Sequence, residues 1–296
     1  MSMEESYLLG VMQGRLLPKY QGRYQAHPVG YWQEEFPIAS KLGLKCIEFI
    51  LDYNDVEENP LMQEAGLDEI LELSEQTGIL VKTVCADYFM EAPLHSPSDI
   101  VVQQSQKVLC KLITHSARIG ISDIVIPCIE QSSLVNNTHT ERFVNNLQPA
   151  IELAEKFGIN LSLETDLNPD SFVVLLEQFD SHRITVNYDT GNSASLGYNV
   201  EDEISVYGRL ISDIHIKDRV SGGESVMLGN GNTAFDTFFS ELAKINSQSV
   251  FIMQAYRDEE GLGVFNKQLE WVKPKLDSFW REKKELLNEN TCNYSS

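Results

Sequence analysis

The feature that most restricts this chain is an alternation, repeated eight times, of a short apolar, β-prone run and a longer amphipathic segment. The runs fall at 7–13, 45–50, 80–86, 123–128, 160–164, 184–189, 213–217 and 250–254. The helical patterns fall at 34–42, 67–76, 97–118, 140–157, 171–179, 201–209, 234–245 and 264–287. Four of them close on a glycine just before the next run, at Gly43, Gly78, Gly120 and Gly158. Glycine there permits the left-handed backbone that ends a helix. Strand–helix repeats dictate a parallel sheet, because each helix must carry the chain back before the next strand can start. Eight units in 296 residues predict an α/β protein with a single (β/α)8 barrel over 1–280 and a polar C-terminal tail over 281–296. An open doubly wound sheet is disfavoured, since no Gly-x-Gly-x-x-Gly follows the first run.

The long connections, 16–33, 52–66 and 218–232, all follow strands. In a barrel they rise from one face, the face that carries barrel active sites. A formal net charge of -21 repels phosphate backbones and anionic lipids, which argues against nucleic-acid or membrane partners. No apolar run approaches the roughly 18 residues needed to span a bilayer. The first residues lack the basic and then apolar pattern of a secretion signal. Five cysteines form no Cys-x-x-Cys pair, and Cys46, Cys85 and Cys128 lie in apolar runs, as in a reducing compartment. The expectation is a soluble cytoplasmic enzyme for a small molecule, and a homodimer is compatible with it.

Barrel strands alternate side chains between the lumen and the surrounding helices. In the last four runs the polar residues share one phase: Ser162 with Glu164, Asn187 with Asp189, Asp213 with His215 and Lys217, and Gln254 at the end of its run. The apolar partners can face the helices, so the polar set faces inward. Unpaired carboxylates buried there would cost several kcal/mol each. That cost disappears if they converge on a cation. Any one of these residues alone reads as a rim group or a local salt bridge, but three in register on consecutive units read as a site. Glu164, Asp189, His215 and Gln254 therefore become ligands of one divalent ion, with Mn, Mg, Co or Zn suited to oxygen donors plus one imidazole.

The segments Gly10-Val11-Met12-Gln13-Gly14-Arg15-Leu16, Leu163-Glu164-Thr165-Asp166, Asp189-Thr190-Gly191-Asn192, His215-Ile216-Lys217-Asp218-Arg219 and Leu228-Gly229-Asn230-Gly231 resemble the sugar phosphate isomerase/epimerase superfamily. Its members have the xylose isomerase-like TIM barrel, which is also that of endonuclease IV. The resemblance covers about residues 7–271. It implies metal ligands from strands 5 to 8, which map here to Glu164, Asp189 and His215. The family's fourth ligand, a glutamate, reads Gln254, and a histidine three residues after the aspartate reads Asn192.

Glu164 and Lys217 are the catalytic candidates. Gln13, Arg15, Asp87, Asn192, Arg219 and Arg257 are the candidate contacts to a sugar or sugar phosphate, with the basic residues meeting its anionic end. Arg23, beside the first strand, reads the same way. Glu48, in mid-strand, needs a partner and is expected in the lumen below the metal. Two other functions compete with a sugar isomerase or epimerase. One is an endonuclease IV-like repair enzyme, which needs several histidines and a basic groove. The other is a sugar-binding barrel with altered catalysis, which Gln254 in place of glutamate would allow.

Overall fold

The computed structural model describes residues 7–293, with side chains to 288. Eight parallel strands close into a barrel: β1 (Leu9–Met12), β2 (Cys46–Ile50), β3 (Leu80–Cys85), β4 (Asp123–Cys128), β5 (Asn160–Thr165), β6 (Ile184–Asp189), β7 (Ile211–Ile216) and β8 (Val250–Met253). Each strand pairs with its neighbours in sequence. The seam is closed by β1 against β8, with Leu9 opposite Phe251 and Val11 opposite Met253. The outer helices are α1 (Glu35–Lys41), α2 (Glu64–Thr77), α3 (Asp99–Ile119), α4 (Asn137–Phe157), α5 (Pro169–Leu176), α6 (Val200–Tyr207), α7 (Phe235–Lys244) and α8 (Leu262–Asn293). Gly78, Gly120 and Gly158 end α2, α3 and α4 in the left-handed conformation, with φ of 73°, 80° and 73°. An L side chain there would be strained.

The strands are buried on both faces, as a barrel requires. One set of side chains, including Val11, Ile47, Phe49, Ile126, Leu163, Val186 and Ile214, packs against the helices. The alternate set fills the lumen in two unlike parts. Strands β1 to β4 and β8 contribute Met12, Cys46, Ile50, Cys85, Val125 and Ile252. Strands β5 to β7 contribute Ser162, Glu164, Asn187, Asp189, Asp213 and His215, all buried. The two-residue alternation thus places a mostly apolar set on one side of the lumen, with Glu48, Thr83 and Asp123 among it, and a polar set on the other.

The boundary expected at residue 280 is not a break in the fold, because α8 runs on to Asn293. The charged stretch after Trp280 keeps helical spacing and buries Lys283. Its Nζ donates to the Ser247 carbonyl and lies 4.8 Å from the centre of the Trp280 ring. The 218–232 connection is not irregular throughout either: Asp218–Arg219 and Ser225–Val226 form a small antiparallel ribbon. Among the described residues no helix is long and apolar enough to cross a membrane.

Candidate metal and sugar site

Register brings the polar strand ends together. Asp189 of β6 lies opposite His215 of β7. Glu164, Asp189 and His215 each offer a ligand atom, and these three atoms lie within 4.8 Å of one another. Asp189 also caps the short helix Thr190–Leu196, its Oδ1 accepting from the Gly191 and Asn192 amides at 2.9 and 2.8 Å. That fixes the carboxylate and leaves Oδ2 free to face Lys217 Nζ at 3.2 Å.

Beneath this cluster Glu48 points into the lumen, as expected. Its Oε1 lies 2.8 Å from His215 Nε2, and its Oε2 accepts from Thr83 at 2.7 Å. Asp213 Oδ1 lies 3.7 Å from the same His215 nitrogen and accepts from Asn187 at 2.9 Å. Glu48 therefore lies in ion-pair range of Nε2, and both ring nitrogens are buried without a well-formed hydrogen bond. A carboxylate behind the imidazole is the usual way a metal-binding histidine is oriented. Burial alone would depress the His215 imidazole, but the Glu48 and Asp213 carboxylates push it up to about 10.

Gln254 follows β8, and a loop residue missed at the level of sequence decides which way its amide points. Arg15 Nη2, which can only donate, bonds Gln25 Oε1 at 3.0 Å. Gln25 Nε2 then turns to Asp87 Oδ2 at 2.8 Å. Gln254 donates Nε2 to the same Gln25 oxygen at 3.1 Å. Its own Oε1 is left buried without a partner. The orphaned carbonyl oxygen, two carboxylates and, once it has lost its proton, the His215 imidazole make three oxygen donors and one nitrogen, a set that fits a divalent cation.

A cavity of about 690 Å³ opens beside these groups, with Glu164, Lys217 and Gln254 on its wall and Asp52, Asp87 and Arg23 above them. Asn192 organises the rim: its Nδ2 donates to Glu164 Oε1 at 2.7 Å, and its Oδ1 accepts from Arg219 at 2.8 Å and Lys217 at 3.3 Å. Burial, with the Asp189 charge adding to it, pushes the Glu164 carboxyl up to about 7, against the pull of His215 and Lys217. Burial also raises Asp87, whose Oδ1 accepts from the Cys85 thiol at 3.2 Å. A second cavity, of about 770 Å³, is lined by residues at the strand starts, among them Asp123, Ser212 and Val250. The ligand set lies at the opposite ends of the strands.

Three of the candidate contacts are engaged by the chain itself, although Gln13 Nε2 is buried without a partner. Gln13 is fully buried and ties β1 to β2, its Oε1 accepting from the Ile50 amide at 3.1 Å and lying 2.8 Å from His27 Nδ1. Arg15 is buried and donates to the Ala255 and Tyr24 carbonyls as well as to Gln25. Arg257 donates to the carbonyls of Gly14, Leu17, Asp258 and Glu259. These arginines satisfy loop carbonyls that would otherwise be stranded, so neither presents a free fork to an anion.

The sequence matches the family described as "Xylose isomerase-like TIM barrel" over residues 36–275. The chain belongs to this family. Within the xylose isomerase-like barrels, it is 26% identical over 262 residues to a putative L-ribulose-5-phosphate 3-epimerase of Haemophilus influenzae, covering 83% of this chain and 92% of that one. It is 24% identical over 264 residues to an L-ribulose-5-phosphate 3-epimerase of Escherichia coli, covering 85% and 93%. Among solved structures, an L-ribulose 3-epimerase superposes with a TM-score of 0.74 at 16% identity over 95% of this chain and 98% of that one. A xylose isomerase-like barrel from Mycobacterium smegmatis in complex with magnesium superposes at 0.69, with 14% identity over 94% and 100%.

Proposed function

We propose that this chain is a divalent-metal-dependent isomerase or epimerase of open-chain keto-sugars, working through an enediolate. The observation that carries this reading is the convergence of Glu164, Asp189 and His215 with the inward, unpartnered Oε1 of Gln254 at the C-terminal mouth. Those four residues would hold the ion, whether Mn, Mg, Co or Zn. A divalent ion there supplies Lewis acidity to the oxygens of a bound sugar. Glu164, a carboxylate on the cavity wall, would take the proton from the carbon next to the carbonyl. Asn192 holds the Glu164 carboxylate, and Lys217, on the cavity wall beside Asp189, would stabilise charge developing on the sugar oxygens. The free cysteines Cys46, Cys85, Cys110 and Cys128 fit a reducing cytoplasm.

Gln254 carries no proton-accepting group at neutral pH. The chain therefore works either with Glu164 alone, returning the proton to the same face, or with Asp87, which lines the same cavity, as a second proton-transfer group. The experiment is elemental analysis of protein purified without chelator, followed by incubation with keto-sugars in deuterated water. About one divalent ion per chain is expected, lost in His215→Ala. Label is expected at a carbon next to the carbonyl, and exchange at both faces should rise in Gln254→Glu. Absence of both metal and exchange would sink the reading. Metal retained without exchange on any sugar would instead favour the competing reading, a sugar-binding barrel with altered catalysis, which the Gln254 position motivates.

A further inference from the structure

Among the described residues, five basic side chains at or beside the mouth are engaged by the chain itself. Arg23 is paired with Asp52 at 2.6 Å, and Lys217 with Asp189 at 3.2 Å. The donors of Arg15 and Arg257 go to loop carbonyls and Gln25. Arg219, off the cavity wall, donates to Asn192 and to the Gly223 carbonyl. A glycine-bearing loop after β7 aims three backbone amides at one point, as anion-binding nests do. That point is filled by Asp218, whose Oδ2 accepts from Gly229 and Gly231 at 2.9 Å each and whose Oδ1 accepts from Thr233 at 3.1 Å.

The cavity wall itself is acidic. Leaving aside Glu164, which the proposed ion would neutralise, it carries Asp52, Asp87, Glu91 and Glu130 against Arg23 and Lys217. Carboxylates accept hydrogen bonds from hydroxyls, so such a wall suits a polyol. A phosphate brought against the same wall meets like charge at short range, where the protein screens it less than water does. Resting on the keto-sugar reading of this site, we propose that its substrate is an uncharged ketose rather than a phosphorylated one. This sets the chain apart from the curated relatives named for L-ribulose 5-phosphate.

The test uses the full chain loaded with Mn²⁺ and offers free ketopentoses and ketohexoses beside their 5- and 6-phosphates. The readout is kcat/KM for deuterium uptake from solvent. The expected result is a preference of about tenfold or more for the free sugar, the scale of like-charge discrimination. The double variant Glu91→Gln with Glu130→Gln should narrow that gap, because it removes two of the wall charges. Equal use of both forms, or a preference for the phosphate, overturns the proposal while leaving the keto-sugar reading intact. A preference that the double variant does not narrow overturns its electrostatic basis. Failure of every sugar to exchange brings down the keto-sugar reading, and this proposal with it.

Discussion

Replacing Asp218 with alanine tests whether a side chain occupies an anion nest. Asp218 is 1% exposed and satisfies three backbone amides at once, those of Gly229, Gly231 and Thr233. Each hydrogen bond contributes about 1 kcal/mol net, and an amide left dry costs about 1–3 kcal/mol. The glycine-bearing loop is partly exposed, so water can reach the freed amides and the lower end applies. The expected loss is therefore about 3 kcal/mol. In urea denaturation this lowers the midpoint by about 1 M, for a slope at the upper end of the usual range. Gly231→Ala should do similar damage, since its Cβ would collide with the Asp218 carboxylate and the Arg219 carbonyl. The diagnostic step is rescue: acetate or inorganic phosphate should restore stability to Asp218→Ala by filling the vacated nest, and leave the wild type unchanged. A loss below about 0.5 kcal/mol, or an equal effect of the added anion on both proteins, would refute the reasoning.

Two further outcomes follow from buried groups. Gln25→Leu should weaken metal binding by about tenfold in calorimetry, the usual scale for groups that orient a ligand, because nothing then keeps Gln254 Oε1 inward; unchanged affinity would show that the amide is oriented otherwise. Glu35 is buried, its Oε1 accepting from the Gly14 amide at 2.7 Å, and burial pushes it up to about 8 against the opposing pull of those amides and of Arg15. The folded form thus holds a proton that the unfolded chain releases near its ordinary value. The stability it contributes is full below about pH 4.5 and is lost as pH rises toward 8. Denaturation curves across that window should slope downward for the wild type and flatten in Glu35→Gln; identical slopes would contradict the assignment.

The barrel and the inward cluster of Glu164, Asp189 and His215 were legible because both are written in periodicities. A two-residue alternation places Glu164, Asp189 and His215 inward whatever the loops do, and the repeated glycines mark where units end. The uses of Arg15 and Arg257 were not legible. A basic residue on a rim loop looks the same in sequence whether its donors face solvent or curl back onto carbonyls, and only the path of the 16–33 loop decides. Gln25 lies on that loop with no periodic neighbour to flag it. Its role emerges only when residues far apart in sequence, Arg15, Asp87 and Gln254, are seen around it. The continuation of α8 beyond 280 was obscured by charge density, since Lys283 buries its stem while its ammonium finds the Ser247 carbonyl.

Pairing of β1 with β8 has a consequence for assembly. Three of the four proposed metal donors come from the adjacent strands β5 to β7, so a partly folded chain can already gather them. The fourth sits on β8, and its amide is turned by a residue on the loop after β1. The full ligand set therefore exists only once the two ends of the chain have met and the seam has zipped. If these residues hold an ion as proposed, its tight binding would report a closed ring.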